Sequence, residues 1–314
     1  MNIPNSKAPR VWSGEELACE AQTALEEFVD RRLKEPEGRY ATQVRSRRKA
    51  IIKLFKVLSG VDPANPEPAV VRSILLDDDL FGALRYIAAP PVSEDDLGVL
   101  VTRKILPLSK TALRGSDPLV LKVLALLCRL ADPYRFPWIA AKRTPSPREL
   151  RTAIQTTTIL QASQALQTER RGHGKIVEGR LESRLTELGF AKVSAPHRGI
   201  IDEPVKYPVY PTFYGECTVH GRKVDLFIPL QTGRMIALEA KDSSSGLNSV
   251  KRLNNDTAAK AKHFAAEAGK NIVNVALLSG VFKLSSLVSA QNAGLYLVWA
   301  HDLDGFIDWV KAQT

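Results

Sequence analysis

Asp225, Glu239 and Lys241 stand inside two apolar runs, VDLFIPLQTGRMIALEAK over residues 224–241. Two carboxylates and an amine form a set able to hold a hard divalent cation and activate water beside it. A three-residue hairpin loop of Gln231, Thr232 and Gly233, with Gly233 left-handed, predicts Leu230 opposite Arg234 and Asp225 opposite Glu239. Val224, Leu226 and Ile228 then meet Ala240, Leu238 and Ile236 on one apolar face. Asp225, Phe227, Ala237, Glu239 and Lys241 share the other, because side chains alternate along a strand. Facing carboxylates repel unless a cation separates them or one is protonated. The plain alternative is a solvated hairpin face with a routine Glu239–Lys241 pair. Pro229 cannot donate to a ladder and marks where an edge or bulge would shift the pairing.

The elements that must position this set fall into two halves. Residues 1–165 read as a helical domain suited to clamping DNA, recognition or dimerisation. GEELACEAQTALEEFVDRRL starts at Ser13, RSRRKAIIKLFKVLSG follows, and PAVVRSILLDDDLFGALRYIAA, EDDLGVLVTRKI, DPLVLKVLALLCRLA and SPRELRTAIQTTTILQASQALQ continue at helical spacing. Near TERRGHGK the pattern changes. Over 166–314 the order is a helix (KIVEGRLESRLTELGF), three strands (AKVSAP and the hairpin), a helix (SVKRLNNDTAAKAKHFAAEAG), a strand (NIVNVALLSG), a helix, a strand (AGLYLVWA) and a last helix (DGFIDWVKAQ). That is an α/β layer arrangement, a mixed central β-sheet flanked by helices.

At 314 residues, 44% hydrophobic and 25% charged, the chain can bury one large or two ordinary cores. Its net charge of +10 suits a polyanionic partner, with nucleic acid ahead of an anionic membrane. Neither a membrane-length apolar run nor a signal peptide is evident, which points to the bacterial cytoplasm. Cys19, Cys128 and Cys217 are too few and too scattered for a disulfide framework. Cys217 and His220 make one C-x-x-H pair with no second pair at zinc-finger spacing.

The helix, the hairpin with Asp225 on one strand and Glu239-Ala240-Lys241 on the next, and the helix and strand beyond resemble the PD-(D/E)xK nucleases over about 170–300. The resemblance implies that Asp225, Glu239 and the Ala240 carbonyl hold Mg²⁺ and that Lys241 positions or activates water. It also implies an acidic residue on the preceding helix, Glu178 by its distance from Gly189-Phe190, with Glu182 the alternative. Val224 stands where the name-giving proline would be. Through TERRGHGK, YPTFYGECTVHGRKVDLFIPL and ALEAKDSSSGLNSVKRLNNDTAAKA the chain is closer still to the XamI-type restriction endonucleases. That likeness implies a type II enzyme cutting double-stranded DNA at a short palindrome (GTCGAC is the site associated with the family), acting as a homodimer with a cognate DNA methyltransferase as companion.

Ser243, Ser244, Ser245 and Asn248, with Lys251 and Arg252 one turn on, offer phosphate contacts at a helix start, or simply a cap. Arg170, Arg171 and Lys175 read as backbone contacts or a solvated helix start. ERRGHGK is no Walker A loop, since it lacks the leading glycine and Lys175 precedes Ile176. The Arg45–Lys49 cluster offers a further DNA contact. Two other readings remain: a nuclease of modified or branched DNA, and a non-catalytic DNA-binding protein.

Overall fold

The computed structural model describes residues 8–59, 61, 65–105, 108–245, 253, 258–267 and 271–313. They group into two compact units, one of residues 34–170 and one of the residues up to Leu33 together with those from Arg171 onward. Among them no helix is long and apolar enough to cross a membrane.

The first helix, α1 (Gly14–Leu33), begins at a reciprocal cap: the Glu16 N–H donates to Ser13 Oγ at 3.2 Å and the Ser13 N–H donates to Glu16 Oε2 at 2.7 Å. Those bonds satisfy donors that a helix start leaves bare. Although it opens the chain, α1 belongs to the unit that holds the sheet, a placement that grouping residues 1–165 together does not anticipate.

The helical unit comprises α2 (Ala41–Leu58), α3 (Pro68–Leu76), α4 (Asp78–Leu84), α5 (Glu94–Thr102), α6 (Lys110–Gly115), α7 (Asp117–Arg129), α8 (Pro137–Ala140) and most of α9 (Pro147–Arg171). Their apolar stripes meet around Ile51, Leu54, Ile74, Leu97, Val123 and Phe136. The run PAVVRSILLDDDLFGALRYIAA forms two helices rather than one. Asp77 leaves helical geometry, and its Oδ1 accepts the N–H groups of Asp79 and Leu80, which restarts the helix as α4.

In the sheet unit, α10 (His173–Glu187) stops at Gly189, whose φ of +89° no residue with a Cβ adopts cheaply. The Phe190 N–H turns back to the Leu185 carbonyl at 3.0 Å, closing the helix end. Next come β1 (Ala191–Val193), β2 (Ile200–Ile201), β3 (Thr212–Tyr214), β4 (Cys217–Val219), β5 (Arg222–Val224), β6 (Leu226–Pro229) and β7 (Met235–Ser243). Then follow α11 (Ala258–Glu267), β8 (Ile272–Gly280), α12 (Leu284–Asn292), β9 (Tyr296–Trp299) and α13 (Asp304–Ala312). The large sheet runs β1-β3-β6-β7-β8-β9, with β6 antiparallel to both neighbours and the other pairs parallel. A small sheet, β2-β4-β5, branches from it. The strands β2 to β5 escape sequence reading because two or three residues are too few to show alternation.

Both faces of the large sheet are covered, as the layer arrangement requires. Leu226, Ile228, Ile236, Leu238, Val275 and Leu277 pack with α10 and α13. On the opposite face Phe227 and Ala237 meet Phe264 of α11 and Val219 of the small sheet, while Ala276, Leu278 and Trp299 meet α1 and α12.

Candidate active site

From Leu226 to Leu230 the hairpin adopts the expected register, but Asp225 is not paired opposite Glu239. Leu226, Phe227, Ile228 and Pro229 pair with Leu238, Ala237, Ile236 and Met235, Gly233 is left-handed at φ +81°, and the Leu230 N–H donates to the Arg234 carbonyl at 2.8 Å. Pro229 does not disturb it. The irregularity falls instead at Asp225, where the β6–β7 ladder ends and the chain leaves for β5, paired to β4 in the small sheet. Val224 therefore joins Phe227 and Ala237 in the opposite cluster rather than continuing the Leu226–Ile228 face. Nor is the second hairpin face a solvated one, since Phe227 and Ala237 are buried there.

This early parting shapes the site. Beyond Leu238, β7 runs on to Ser243 with β8 on one side and no β6 ladder on the other. Into the gap turns Asp225: its N–H donates to the Leu238 carbonyl at 2.9 Å, and its Oδ2 accepts the Ala240 N–H at 2.8 Å. One carboxylate oxygen thus serves a backbone donor that the shortened ladder leaves over. The other, Oδ1, lies 4.0 Å from Lys175 Nζ.

Lys175 and Glu178 come from α10, with Lys175 Nζ 2.8 Å from Glu178 Oε2 and 3.6 Å from Glu216 Oε2. Glu178 is only 5% exposed. Burial pushes its carboxyl up, Lys175 pulls the other way, and the nearby Asp225 and Glu182 charges add to the rise. For Lys175, burial opposes the charge, yet Glu178, Asp225 and Glu216 together lift it above the ordinary lysine value. The rival carboxylate, Glu182, pairs with Lys192 at 2.5 Å rather than with Arg180 or Arg184.

Glu239 is 6% exposed and carries Lys241 on its Oε2 at 3.1 Å and Lys260 of α11 on its Oε1. Lys260 also donates to the Lys223 carbonyl at 2.7 Å, so it spans the strands on both sides of the gap. No local pattern singles out Lys260 over Lys262; only the packing of α11 does. On the opposite face of β7, Asp242 meets His173 Nδ1 at 3.1 Å and Arg31 at 3.5 Å. Burial works against ionised Asp242, but the hydrogen bond and charge of His173, then Arg31, hold it below the usual carboxylate value.

The remaining candidates divide. Ser243 is fully buried and donates to the Ser245 carbonyl at 2.9 Å, so it does not face a ligand. Ser244 is exposed. Asn248, Lys251 and Arg252 lie outside the described residues. Arg170 is held by buried Glu35, its Nε 3.2 and 3.1 Å from the two carboxylate oxygens, while Arg171 is exposed. Lys175, exposed in the first turn of α10, reaches the carboxylate cluster. Cys217 is buried, its thiol pushed up to about 12 by burial, and His220 Nε2 sits 2.7 Å from the Tyr207 hydroxyl, an arrangement unlike a C-x-x-H metal pair.

Among the described residues no three His, Cys, Asp or Glu side chains form a closed metal cage. Asp225 and Glu239 are hard oxygen donors at an open gap, a set that fits Mg²⁺, which takes one or two carboxylates and keeps several waters.

Residues 65–299 match the family described as XamI restriction endonuclease. The chain belongs to the XamI restriction endonuclease family. Across 273 residues it is 34% identical to the type II restriction enzyme XamI of Xanthomonas campestris pv. amaranthicola, covering 84% of this chain and 94% of that protein. No solved structure matches. The XamI-family match takes in helices α3 to α9 as well as Glu178, Asp225, Glu239 and Lys241.

Proposed function

We propose that this type II restriction endonuclease hydrolyses phosphodiester bonds in double-stranded DNA at the β6–β7 gap, in a PD-(D/E)xK-type core, with Mg²⁺ held by Asp225, Glu239 and the Ala240 carbonyl. One observation carries the reading: the ladder stops at Leu226, which brings Asp225 onto Ala240 beside the Glu239–Lys241 pair. Bound there, Mg²⁺ supplies a Lewis acid and lowers the pKa of water. Lys241 adds positive charge where the transition state gains negative charge. Lys175 gathers Glu178 and Asp225 at one point, and Lys260 holds Glu239 from α11.

DNA reaches this gap through its backbone. In the sheet unit Arg171 and Ser244 are our candidates for phosphate contacts; in the helical unit, taken by itself, the exposed Arg48, Lys49 and Lys56 of α2, a helix with no acidic residue, are separate candidates. A palindromic site, GTCGAC by family likeness, calls for two equivalent active sites and hence a homodimer, with a methyltransferase protecting host DNA.

The test is incubation of the protein with unmethylated plasmid in Mg²⁺ or chelator, beside Asp225→Asn and Lys241→Ala, followed by sequencing of fragment ends. Discrete Mg²⁺-dependent ends, absent in both variants, are expected. Discrete cutting by Asp225→Asn at the wild-type rate would sink the assignment.

A further inference from the structure

A cleft of about 480 Å³ opens along β1 and the loop after it, lined by Lys192, Ser194, Arg198, Gly199, Gly215 and Glu216. Glu216 belongs to two places at once. It lines the cleft, and it lies 3.6 Å from Lys175, which is in turn 4.0 Å from Asp225. The cleft wall is therefore continuous with the carboxylate cluster through Glu216 and Lys175.

Arg198 is the unusual residue of this cleft. Its backbone is left-handed, at φ 58° and ψ 28°, a conformation that costs a residue with a Cβ and that glycine adopts freely. Gly199 follows at φ +84°, and a Cβ there would lie 3.8 Å from the Cys217 backbone, so the loop is folded back against β4. The chain thus holds a long cationic side chain at a strained turn where glycine would fit better. Arg198 is exposed and has no carboxylate partner among the described residues. Lys192, by contrast, has its amine on Glu182 at 2.5 Å.

The lining also indicates what enters. Glu216 is already taken up by Lys223 at 2.9 Å and Lys175 at 3.6 Å, which leaves the exposed Arg198 guanidinium as a planar fork of donors, a match for the paired acceptors of a base edge. Arginine donating to guanine O6 and N7 is the commonest such contact. We propose that this cleft receives base edges next to the scissile phosphate and that Arg198 is a specificity-determining residue, reading guanine. The proposal rests on the reading of Asp225 and Glu239 as the cleavage site.

Full-length Arg198→Gly, which keeps the left-handed turn without strain, and Arg198→Lys are compared with wild type on a plasmid library randomised across the cleavage site, with fragment ends sequenced. Arg198→Gly should lose about 10- to 100-fold in kcat/KM on the wild-type site and relax selection at one base pair of each half-site. Arg198→Lys should not restore that selection, since it lacks the paired donors. Binding to non-cognate DNA should keep its salt dependence. Unchanged base selection, or uniform weakening on every sequence with a shallower salt slope, would overturn the assignment. An Asp225→Asn control run in parallel separates the two claims: its continued cutting counts against the catalytic centre, whereas the base preference of Arg198→Gly reports on the cleft alone.

Discussion

Glu178 and Asp225 are two carboxylates on one lysine, and Glu178 is the more buried of the two. Burial raises the Glu178 carboxyl above its unfolded value. A group so shifted lends stability below the ordinary carboxylate pKa and loses it as pH rises through the higher folded value. Glu178→Gln should remove that loss, so thermal melts from acid to neutral pH should show the variant gaining on wild type as pH rises. Equal pH slopes for the two would refute this. For Asp225→Asn and Lys241→Ala, the expected fall in cleavage rate is about 10²- to 10³-fold, the usual cost of removing one electrostatic partner from a reaction site. Binding to cognate DNA, measured by gel shift with Ca²⁺, should persist in both. A parallel loss of binding would make these residues DNA-binding groups rather than catalysts.

At the scale of elements, the register was legible and the gap was not. Alternating apolar residues and the left-handed Gly233 specify how β6 meets β7, since a one-residue slip exposes a core face. Where the ladder ends depends on β5 being drawn to β4, and strands of three residues carry too little pattern to announce that. Glu239 and Lys241 could be paired from their spacing, whereas Lys260 reaches them from a helix whose docking no local rule specifies. The end of β7 is equally a matter of packing. Gly280 of β8, at φ +92°, lies so close that a Cβ would come 2.1 Å from the Ser243 carbonyl oxygen. Gly280→Ala should therefore destabilise the protein by about 1–3 kcal/mol, read as a lower denaturation midpoint. In α2, replacing Arg48, Lys49 and Lys56 together with glutamine should weaken binding to every DNA sequence. Its salt slope should fall by about 0.9 for each phosphate that the variant no longer neutralises, as measured by fluorescence anisotropy across a salt series.

For the whole molecule, the net charge of +10 and the proposed palindrome make separate predictions. Association with any DNA should weaken steeply with salt, while the sedimentation coefficient on a cognate duplex should match two chains per site. One chain per duplex would exclude the homodimer.

The two crossings of the chain between its compact units fall at residues 33–34 and 170–171. Arg31 sits 2.8 Å from His173 in the sheet unit, and Glu35 grips Arg170 in the helical one, so each unit holds its own two chain ends together. Topologically, residues 34–170 are a cassette inserted, by two chain crossings, into the unit that carries the sheet. Such a cassette can be cut out with one splice, or exchanged with two. A chain carrying a short glycine-serine bridge in place of residues 35–170 should keep the α/β circular dichroism signature of the sheet unit. The same layout lets the inserted unit diverge by recombination while the fold around the β6–β7 gap is inherited whole.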